Sequence, residues 1–260
     1  GCAAVAITDH TDHAVAAASP DYFTAIDAAR AQYPSLTMFA GVEWNVPPYG
    51  GREHVTVLVD PRLERSVLTS FKERFDGMED EADAGAALRW LAEQASSARN
   101  EVALLYNHPS RKDEQADENQ RDWQQWRDIN DLFIGFEGGP GHQRSGTPGA
   151  YRAAIKPLDR WDPVVAEIGG GWDQLLDAGH DVWGALASSD FHEDRNDYPP
   201  CRFARTMVTV DSPDARGILR GLRAGSFWAG HGNVLKNLWF IVAEPTLPLP
   251  AAPGETIRLG

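Results

Sequence analysis

Short runs of apolar residues alternate along the chain with longer segments of helical periodicity. The runs 3–8 and 36–42 consist mainly of apolar residues, which is typical of strands buried within a sheet, and we expect the first of them to be buried on both faces. The segment 83–99 instead places alanine, leucine and tryptophan three and four positions apart, which predicts an amphipathic helix. Strands that alternate with helices indicate an α/β fold.

The same patterns predict such elements along the whole chain. The predicted strands cover residues 3–8, 36–42, 54–59, 101–106, 132–136, 181–187, 206–210 and 238–243. The predicted helices cover residues 20–30, 83–99, 122–129, 163–178 and 214–224. No internal repeat and no low-complexity linker divides the chain. We therefore interpret residues 1–260 as a single α/β domain in which 206–260 form a C-terminal strand–helix–strand extension and tail.

Polar side chains follow most of the apolar runs, at the point where each run ends. In an α/β barrel the carboxyl ends of the strands point into the active site, so polar residues there often carry chemistry. The residues in question are Asp9, His10, Glu43, His108, Glu137, Asp190 and His192. A single histidine of this kind is more often a hydrogen-bonded structural residue than a ligand. The shared pattern, in contrast, favours one converging site of His, Asp and Glu donors, which suits zinc, manganese or iron.

Charge and composition exclude several classes of function. The formal net charge is −14, with 38 acidic residues against 24 Lys and Arg, so the chain repels a phosphate backbone and is not expected to bind nucleic acid generally. No run approaches 18 apolar residues, so we expect no membrane span. The first residues lack the layout of a signal peptide; the compartment stays open, with the cytoplasm favoured. Cys2 and Cys201 have no motif spacing and indicate no disulfide framework.

Four segments resemble successive motifs of the PHP (polymerase and histidinol phosphatase) superfamily. These segments are Ala4–His10, Gly41–Glu43, Asn107–Pro109 and Ser188–His192. The resemblance covers about 3–243 and implies a single distorted (β/α)7 TIM-like barrel with two or three divalent metal ions, its first strand missing from the sequence. The later segment 211–225 resembles the carbaryl-hydrolase-like branch of that superfamily.

The resemblance also implies roles for individual residues. Glu43 would bridge two metal ions, about 3.5–4 Å apart in sites of this kind. Asp190 would complete the first site, and His54 and His108 would hold the second together with Glu43.

A third site and its surroundings follow from the same resemblance. His10 and His192 would hold a third ion, and Asp9 would orient a ligand from behind. The His-x-His motif that ends the first barrel strand in this superfamily has no counterpart here, because the sequence begins at the residues that resemble the second strand. We therefore expect either that residues upstream of Gly1 supply this motif or that the site is reduced.

Three further residues are candidates for substrate binding. Glu137 and His142 lie in the glycine-rich segment 137–146, whose backbone N–H groups could bind an anion, although a plain surface loop is an equal alternative. His142 could also donate a proton to a leaving group. Arg111 could pair with a phosphate or a carboxylate, although a solvated loop cation is the more common role for such an arginine.

These observations predict a metal-dependent hydrolase of the phosphoesterase type, acting on a small-molecule substrate. A metal-bridging hydroxide would attack the substrate, with Glu43, Asp190 and Asp9 as the catalytic residues. A carbamate, amide or carboxyl ester hydrolase of the same fold is one alternative. A catalytically reduced module that binds a metal or a ligand is another. The sequence does not predict the oligomeric state.

Overall fold

The computed structural model describes residues 2–12, 15–47, 53–76, 82–95, 98–111, 116–152 and 155–239. Its strands are β1 (Ala4–Ile7), β2 (Thr37–Asn45), β3 (His54–Val59), β4 (Val102–Tyr106), β5 (Phe133–Gly139), β6 (Trp183–Ala187), β7 (Ala204–Val208) and β8 (Phe227–His231). Its helices are α1 (Pro20–Gln32), α2 (Glu64–Phe75), α3 (Ala82–Gln94), α4 (Ala98–Glu101), α5 (Ala116–Ile129), α6 (Pro163–Ala166), α7 (Gly171–Asp177) and α8 (Ala215–Arg223). The predicted α/β class is confirmed.

Strands β1 to β6 form one curled sheet in chain order, and β7 and β8 form an antiparallel pair that packs against β6. The pairs β1–β2, β4–β5 and β5–β6 are parallel, but β3 runs antiparallel to both of its neighbours. A parallel connection needs about a dozen residues or more, and the segment 46–53 is shorter than that. The direction of β3 has a consequence for the site, because it pairs His54, the first residue of β3, with Asn45, the last residue of β2.

The first strand differs from its prediction. We expected β1 to be buried on both faces, but Ala6 is exposed and the other three residues are only half-buried. The reason is its position, because β1 lies at the edge of the six-stranded sheet and pairs with β2. A pattern of small apolar residues does not distinguish an edge strand from a central one.

Two strands continue further than their apolar runs. Glu43 lies inside β2 and pairs with Thr56, and Glu137 lies inside β5 and pairs with Leu186. The sequence predicted strand ends before both glutamates, because a charged residue normally marks the surface. Both side chains are instead buried, which sets them apart from ordinary surface acids.

The helices follow the sequence only in part, because α2 has no sequence-based prediction and α5 begins six residues before the predicted helix 122–129. Ser19 caps α1, accepting a 3.2 Å hydrogen bond from the Tyr22 backbone N–H. The predicted helix 83–99 is divided into α3 and α4, and the helix predicted for 163–178 is interrupted between α6 and α7, where Gly169 has a φ of 78°.

The C-terminal part shows one strand that the sequence did not predict. The predicted strand 206–210 is β7, the predicted helix 214–224 is α8, and β8 follows without a sequence-based prediction. The strand predicted for 238–243 has no counterpart at 238–239, and its remaining residues lie outside the described part of the chain. The assignment of 1–260 to one domain stays a prediction.

Aromatic residues fill the core beneath the sheet. Trp44, Trp123 and Trp126 are almost completely buried, and Trp44 stacks on Trp126 with 5.9 Å between ring centroids. The Trp44 indole N–H also donates a 2.8 Å hydrogen bond to the carbonyl of Phe75 at the end of α2. Packing and hydrogen bonding together fix the end of β2, the strand that carries Glu43.

Cys2 and Cys201 form a disulfide, which corrects the expectation of no disulfide bonding. Their Cα atoms are 5.7 Å apart although 199 residues separate them in sequence, so no local spacing could reveal the pair. The bond links the residue before Ala3 and β1 to the segment between β6 and β7. Among the described residues, no helix has the length and apolar character needed to cross a membrane.

Candidate metal centre

A first cluster consists of His10 from the segment after β1, Glu43 from β2 and His54 from β3. One donor atom from each lies within 4.8 Å of the others. His10 Nε2 is 3.5 Å from Glu43 Oε2, and His54 Nδ1 is 3.2 Å from Glu43 Oε1. The antiparallel direction of β3 explains why His54, at the start of a strand, meets residues from the ends of other strands. These three side chains could hold one metal ion.

His108 approaches the same glutamate from β4. Its Nε2 atom is 3.6 Å from Glu43 Oε1, is buried, and has no hydrogen-bond partner among the described residues. Asn107 donates a 2.9 Å hydrogen bond to that same carboxylate oxygen. A buried ring nitrogen without a partner is costly, and an ion between His108 and Glu43 would satisfy it. The residues therefore fit a bound metal.

The orientation of His10 supports the same conclusion. Its Nδ1 atom is 3.1 Å from the backbone carbonyl oxygen of Glu43. A carbonyl oxygen can only accept a hydrogen bond, so Nδ1 carries a proton and Nε2 is the nitrogen left to bind an ion. Nε2 faces the Glu43 carboxylate, as expected of two ligands to one ion.

A second cluster consists of His142, Asp190 and His192, whose donor atoms also lie within 4.8 Å of one another. His142 Nε2 is 3.1 Å from Asp190 Oδ2, and His192 Nδ1 is 3.4 Å from Asp190 Oδ1. Asp197 supports two members: it lies 2.6 Å from His142 Nδ1 and accepts a 2.7 Å bond from the His192 backbone N–H. This cluster too could hold a metal ion.

Arg111 and Glu137 lie between the two clusters. Arg111 Nη2 is 3.5 Å from Asp190 Oδ2, and Arg111 Nε donates a 3.0 Å bond to the Gly149 carbonyl. Glu137 accepts bonds from the His108 backbone N–H and from the Ser188 hydroxyl. The Arg111 side chain is only 16% exposed, so it is not the solvated loop cation that the sequence favoured.

The electrostatics of the first cluster favour a cation at Glu43. Burial alone would raise the pKa of Glu43, but the imidazoles of His108 and His54 outweigh burial and hold this pKa well below its ordinary value. Burial lowers the pKa of His54 despite the nearby carboxylate. For His108, burial and Arg111 act downward, yet Glu43 and Glu53 raise its pKa to about 9. A positive charge between His108 and Glu43 is therefore favourable, whether a proton or a metal ion carries it.

The two carboxyl groups near Arg111, those of Glu137 and Asp190, have very different pKa values. Burial, reinforced by Asp190, raises the pKa of Glu137 to about 7. Burial also acts to raise the pKa of Asp190, but the bond from His142 and the charge of Arg111 hold it at about 2. The hydrogen bond to Asp190 in turn raises the pKa of His142. Neighbouring carboxyls with such different pKa values are typical of functional sites.

The backbone is strained at three of these residues. His108, His142 and Asp190 have φ values of 33°, 53° and 44°, a region that non-glycine residues rarely adopt. Each such residue costs about 1–3 kcal/mol, and strain of this kind clusters at active sites and ligand clamps. Gly141 accommodates Asp190, because a Cβ atom at position 141 would collide with the Asp190 side chain.

The structure groups the predicted residues differently from the resemblance. His10 lies with Glu43 and His54, whereas His192 lies with Asp190. Asp9 contacts Glu43 through its backbone carbonyl, which accepts a 3.2 Å bond from the Glu43 N–H. His142, considered from sequence as a substrate residue, lies among the potential ligands.

Sequence reasoning missed the residues that hold the ligands in place, namely Glu53, Asn107, Ser188 and Asp197. Glu53 precedes His54 directly and Asn107 precedes His108, so adjacency to a candidate ligand was the available signal. Asp197 lies in an irregular polar stretch where an acid carries no periodic signal.

No protein-family model, no curated protein and no solved structure matches this chain. The candidate centre is therefore interpreted from its own geometry.

Proposed function

We propose that this protein is a metal-dependent hydrolase whose divalent ions bind at the first and second clusters. The observation that carries the proposal is the environment of Glu43. Imidazoles of His10, His54 and His108 surround this buried carboxylate, and the buried His108 Nε2 faces it without a hydrogen-bond partner in the described part of the chain. Such an arrangement is costly for a structural role alone and favourable around a cation.

The donors also indicate the kind of ion. Nitrogen and oxygen ligands without thiolate suit zinc, manganese or iron. When bound, such ions lower the pKa of water toward neutrality and polarise the oxygen of a substrate. The two cysteines are paired with each other and are not part of either cluster.

The residues between the clusters would bind and orient the substrate. Arg111 is held at Nε by the Gly149 carbonyl, and its Nη2 lies beside Asp190, so the guanidinium is fixed next to the second cluster. A buried guanidinium pairs well with phosphate oxygens. This feature favours a phosphoester over an uncharged carbamate or carboxyl ester. Glu137, with a pKa of about 7, can hold or release a proton on its carboxyl oxygen near neutral pH.

We also propose that the fold is of the PHP type, a distorted (β/α)7 barrel. The support is that motif residues distant in sequence, among them His10, Glu43 and His108, meet at one edge of the sheet. The curled six-stranded sheet is compatible with part of such a barrel.

Metal content per chain tests the proposal directly. Protein purified without chelator and reconstituted separately with zinc, manganese and iron would be measured by elemental mass spectrometry. We expect about two bound ions, consistent with the two clusters, one lost in Glu43→Ala and the other in Asp190→Ala. Glu93→Ala, on the exposed face of α3, serves as the matched control. If the protein binds no metal even after reconstitution, the hydrolase proposal is wrong.

A substrate screen then separates the reaction classes. An aryl phosphomonoester, an aryl carbamate and an aryl carboxyl ester that release the same chromophore would be compared on the metal-loaded protein. We expect the phosphoester to be hydrolysed best and Arg111→Ala to raise its KM. Metal binding without hydrolysis of any of the three would favour the reduced binding module instead.

A further inference from the structure

One buried carboxylate next to the first cluster has no part in the metal ligation described so far. Glu53 has no measurable exposure, and its Oε2 atom lies 3.0 Å from His108 Nδ1. The two residues meet because β3 and β4 pair antiparallel, with the Asn107 N–H donating to the His54 carbonyl at the edge of the ladder. Glu53 therefore approaches His108 on the side of the ring opposite to Glu43.

This contact determines which ring nitrogen of His108 points toward the first cluster. Because the Nδ1–H donates its hydrogen bond to a carboxylate, Nε2 is the nitrogen of His108 that is left to bind a metal ion. That atom is the buried one without a hydrogen-bond partner, 3.6 Å from Glu43 Oε1. The contact with Glu53 thus aims Nε2 at the carboxylate that forms the centre of the first cluster.

The main chain of His108 is held separately from its ring. Its backbone is strained, with a φ of 33°, and its N–H donates a 3.2 Å bond to Glu137 Oε2. Its carbonyl accepts a 2.9 Å bond from the Arg111 N–H. Glu137 therefore restrains the backbone and Glu53 restrains the ring, so the imidazole has little rotational freedom.

We propose that Glu53 is a positioning residue that holds His108 in the Nδ1–H form, so that Nε2 is the atom offered to an ion shared with Glu43. This inference rests on the proposed function for its consequence, but not for its geometry. Carboxylates that accept from a ligating histidine typically change metal affinity by about 10–100-fold. Glu53 contributes in this way without touching the ion or the substrate.

The first test measures zinc affinity by competition with a chromophoric chelator. We expect Glu53→Ala to weaken binding at the first cluster by about 10–100-fold and to leave the second cluster unchanged. Glu53→Gln should restore most of the affinity, because its amide oxygen still accepts from Nδ1–H. Glu101→Gln changes an equally buried carboxylate, paired with Arg216 far along the chain, and controls for loss of stability alone. Equal affinities in wild type and Glu53→Ala would overturn the proposal.

The second test uses metal-free protein and separates this inference from the proposed function. Long-range proton–nitrogen NMR reports whether His108 Nδ1 carries a proton and how fast it exchanges with water. We expect a slowly exchanging Nδ1–H in wild type, retained in Glu53→Gln and lost or fast-exchanging in Glu53→Ala. An unprotonated Nδ1 in wild type would overturn the role of Glu53. Absence of zinc binding with this resonance intact would instead reject only the hydrolase.

Discussion

The two clusters contain similar donors but are built on different kinds of backbone. Glu43 and His54 lie in paired strands, opposite Thr56 and Asn45. His142 and Asp190 lie in irregular segments after β5 and β6, both with positive φ, and the His192 side chain is 45% exposed. Two of the three residues of the first cluster are therefore fixed by sheet hydrogen bonds, whereas the second cluster depends on local supports such as Asp197. Preorganised ligands bind more tightly, so we expect the first cluster to bind its ion more strongly.

Removing the charge of Glu43 should have the largest effect. Glu43→Gln keeps the volume of the side chain but takes away the only carboxylate of the first cluster. We expect loss of its ion and a decrease of about a thousandfold in kcat, equal to about 4 kcal/mol of transition-state stabilisation. Asp190→Asn should leave the first ion in place. Steady-state kinetics with metal counting checks both, and a Glu43→Gln variant that keeps both ions and its kcat would contradict the comparison.

The disulfide offers the next largest effect, on stability. It ties the start of β1, which leads to His10, to the segment that carries Asp190 and His192. Reduction, or the double change Cys2→Ser and Cys201→Ser, should lower the free energy of unfolding by about 2–4 kcal/mol. The second cluster should lose affinity more than the first, because β1 keeps its pairing with β2.

Thermal unfolding with and without reductant measures this effect, and the double variant supplies the control, since reductant should not change it further. Equal melting temperatures for wild type with and without reductant would contradict the prediction. The sequence favoured the cytoplasm as the compartment. A disulfide is more typical of oxidising compartments.

The same contrast explains how much the sequence could predict. Glu43 and His108 could be found because regular strands carry a periodic signal that ends near them. The direction of β3 was missed because an apolar run reads the same in either direction, and the signal lay instead in the short connection 46–53, which cannot support a parallel crossover. The β3 direction decides that His54 joins Glu43.

Loops conceal the remaining parts of the site. Asp197 and Glu53 lie where no periodicity exists, and their roles depend on contacts across 55 residues of chain in each case. The pairing of Cys2 with Cys201 is equally non-local. Turn and strand patterns describe neighbours in sequence, so contacts of this range appear only in three dimensions.

Asp197 allows the second cluster to be weakened alone. Its two oxygens lie 2.6 Å from His142 Nδ1 and 2.7 Å from the His192 backbone nitrogen. Asp197→Ala should lower zinc affinity at the second cluster by about 10–100-fold and leave the first unchanged. Asp194→Ala, an exposed acid three residues earlier, is the matched control. An equal loss at both clusters would show that they are not independent, and the comparison between strand and loop would fail.

The smallest expected effect is a loss of folding stability in acid that comes from His231, which lies in β8 near the second cluster. His231 stacks on Phe203 and packs at a tilt against Trp161, with both centroid distances 5.1 Å, and its buried Nε2 has no partner among the described residues. Burial, together with Arg160, lowers its pKa to about 4. In the unfolded chain a histidine has a pKa of about 6.5.

The sign of the pH effect follows from these two values. Above pH 6.5 His231 is neutral in both states, and its contribution to stability is fully present. Between about pH 6.5 and 4 the unfolded chain binds a proton that the folded protein does not, so stability falls as the pH falls. His231→Phe keeps a stacked ring and removes the titrating nitrogen. The difference in unfolding free energy between wild type and His231→Phe should therefore change across this window in favour of the variant.

Chemical denaturation at several pH values between 4 and 7 measures that difference, and His180→Gln in the turn after α7 controls for removing a histidine elsewhere. Because other groups titrate in both proteins, only the difference between the curves reports on His231. Parallel curves would mean that the imidazole accepts a proton without cost, which contradicts the burial of its Nε2 atom. A difference that moves in favour of His231→Phe as the pH falls would instead identify the β7–β8 pair, next to the loops of the second cluster, as the part of the molecule that acid weakens.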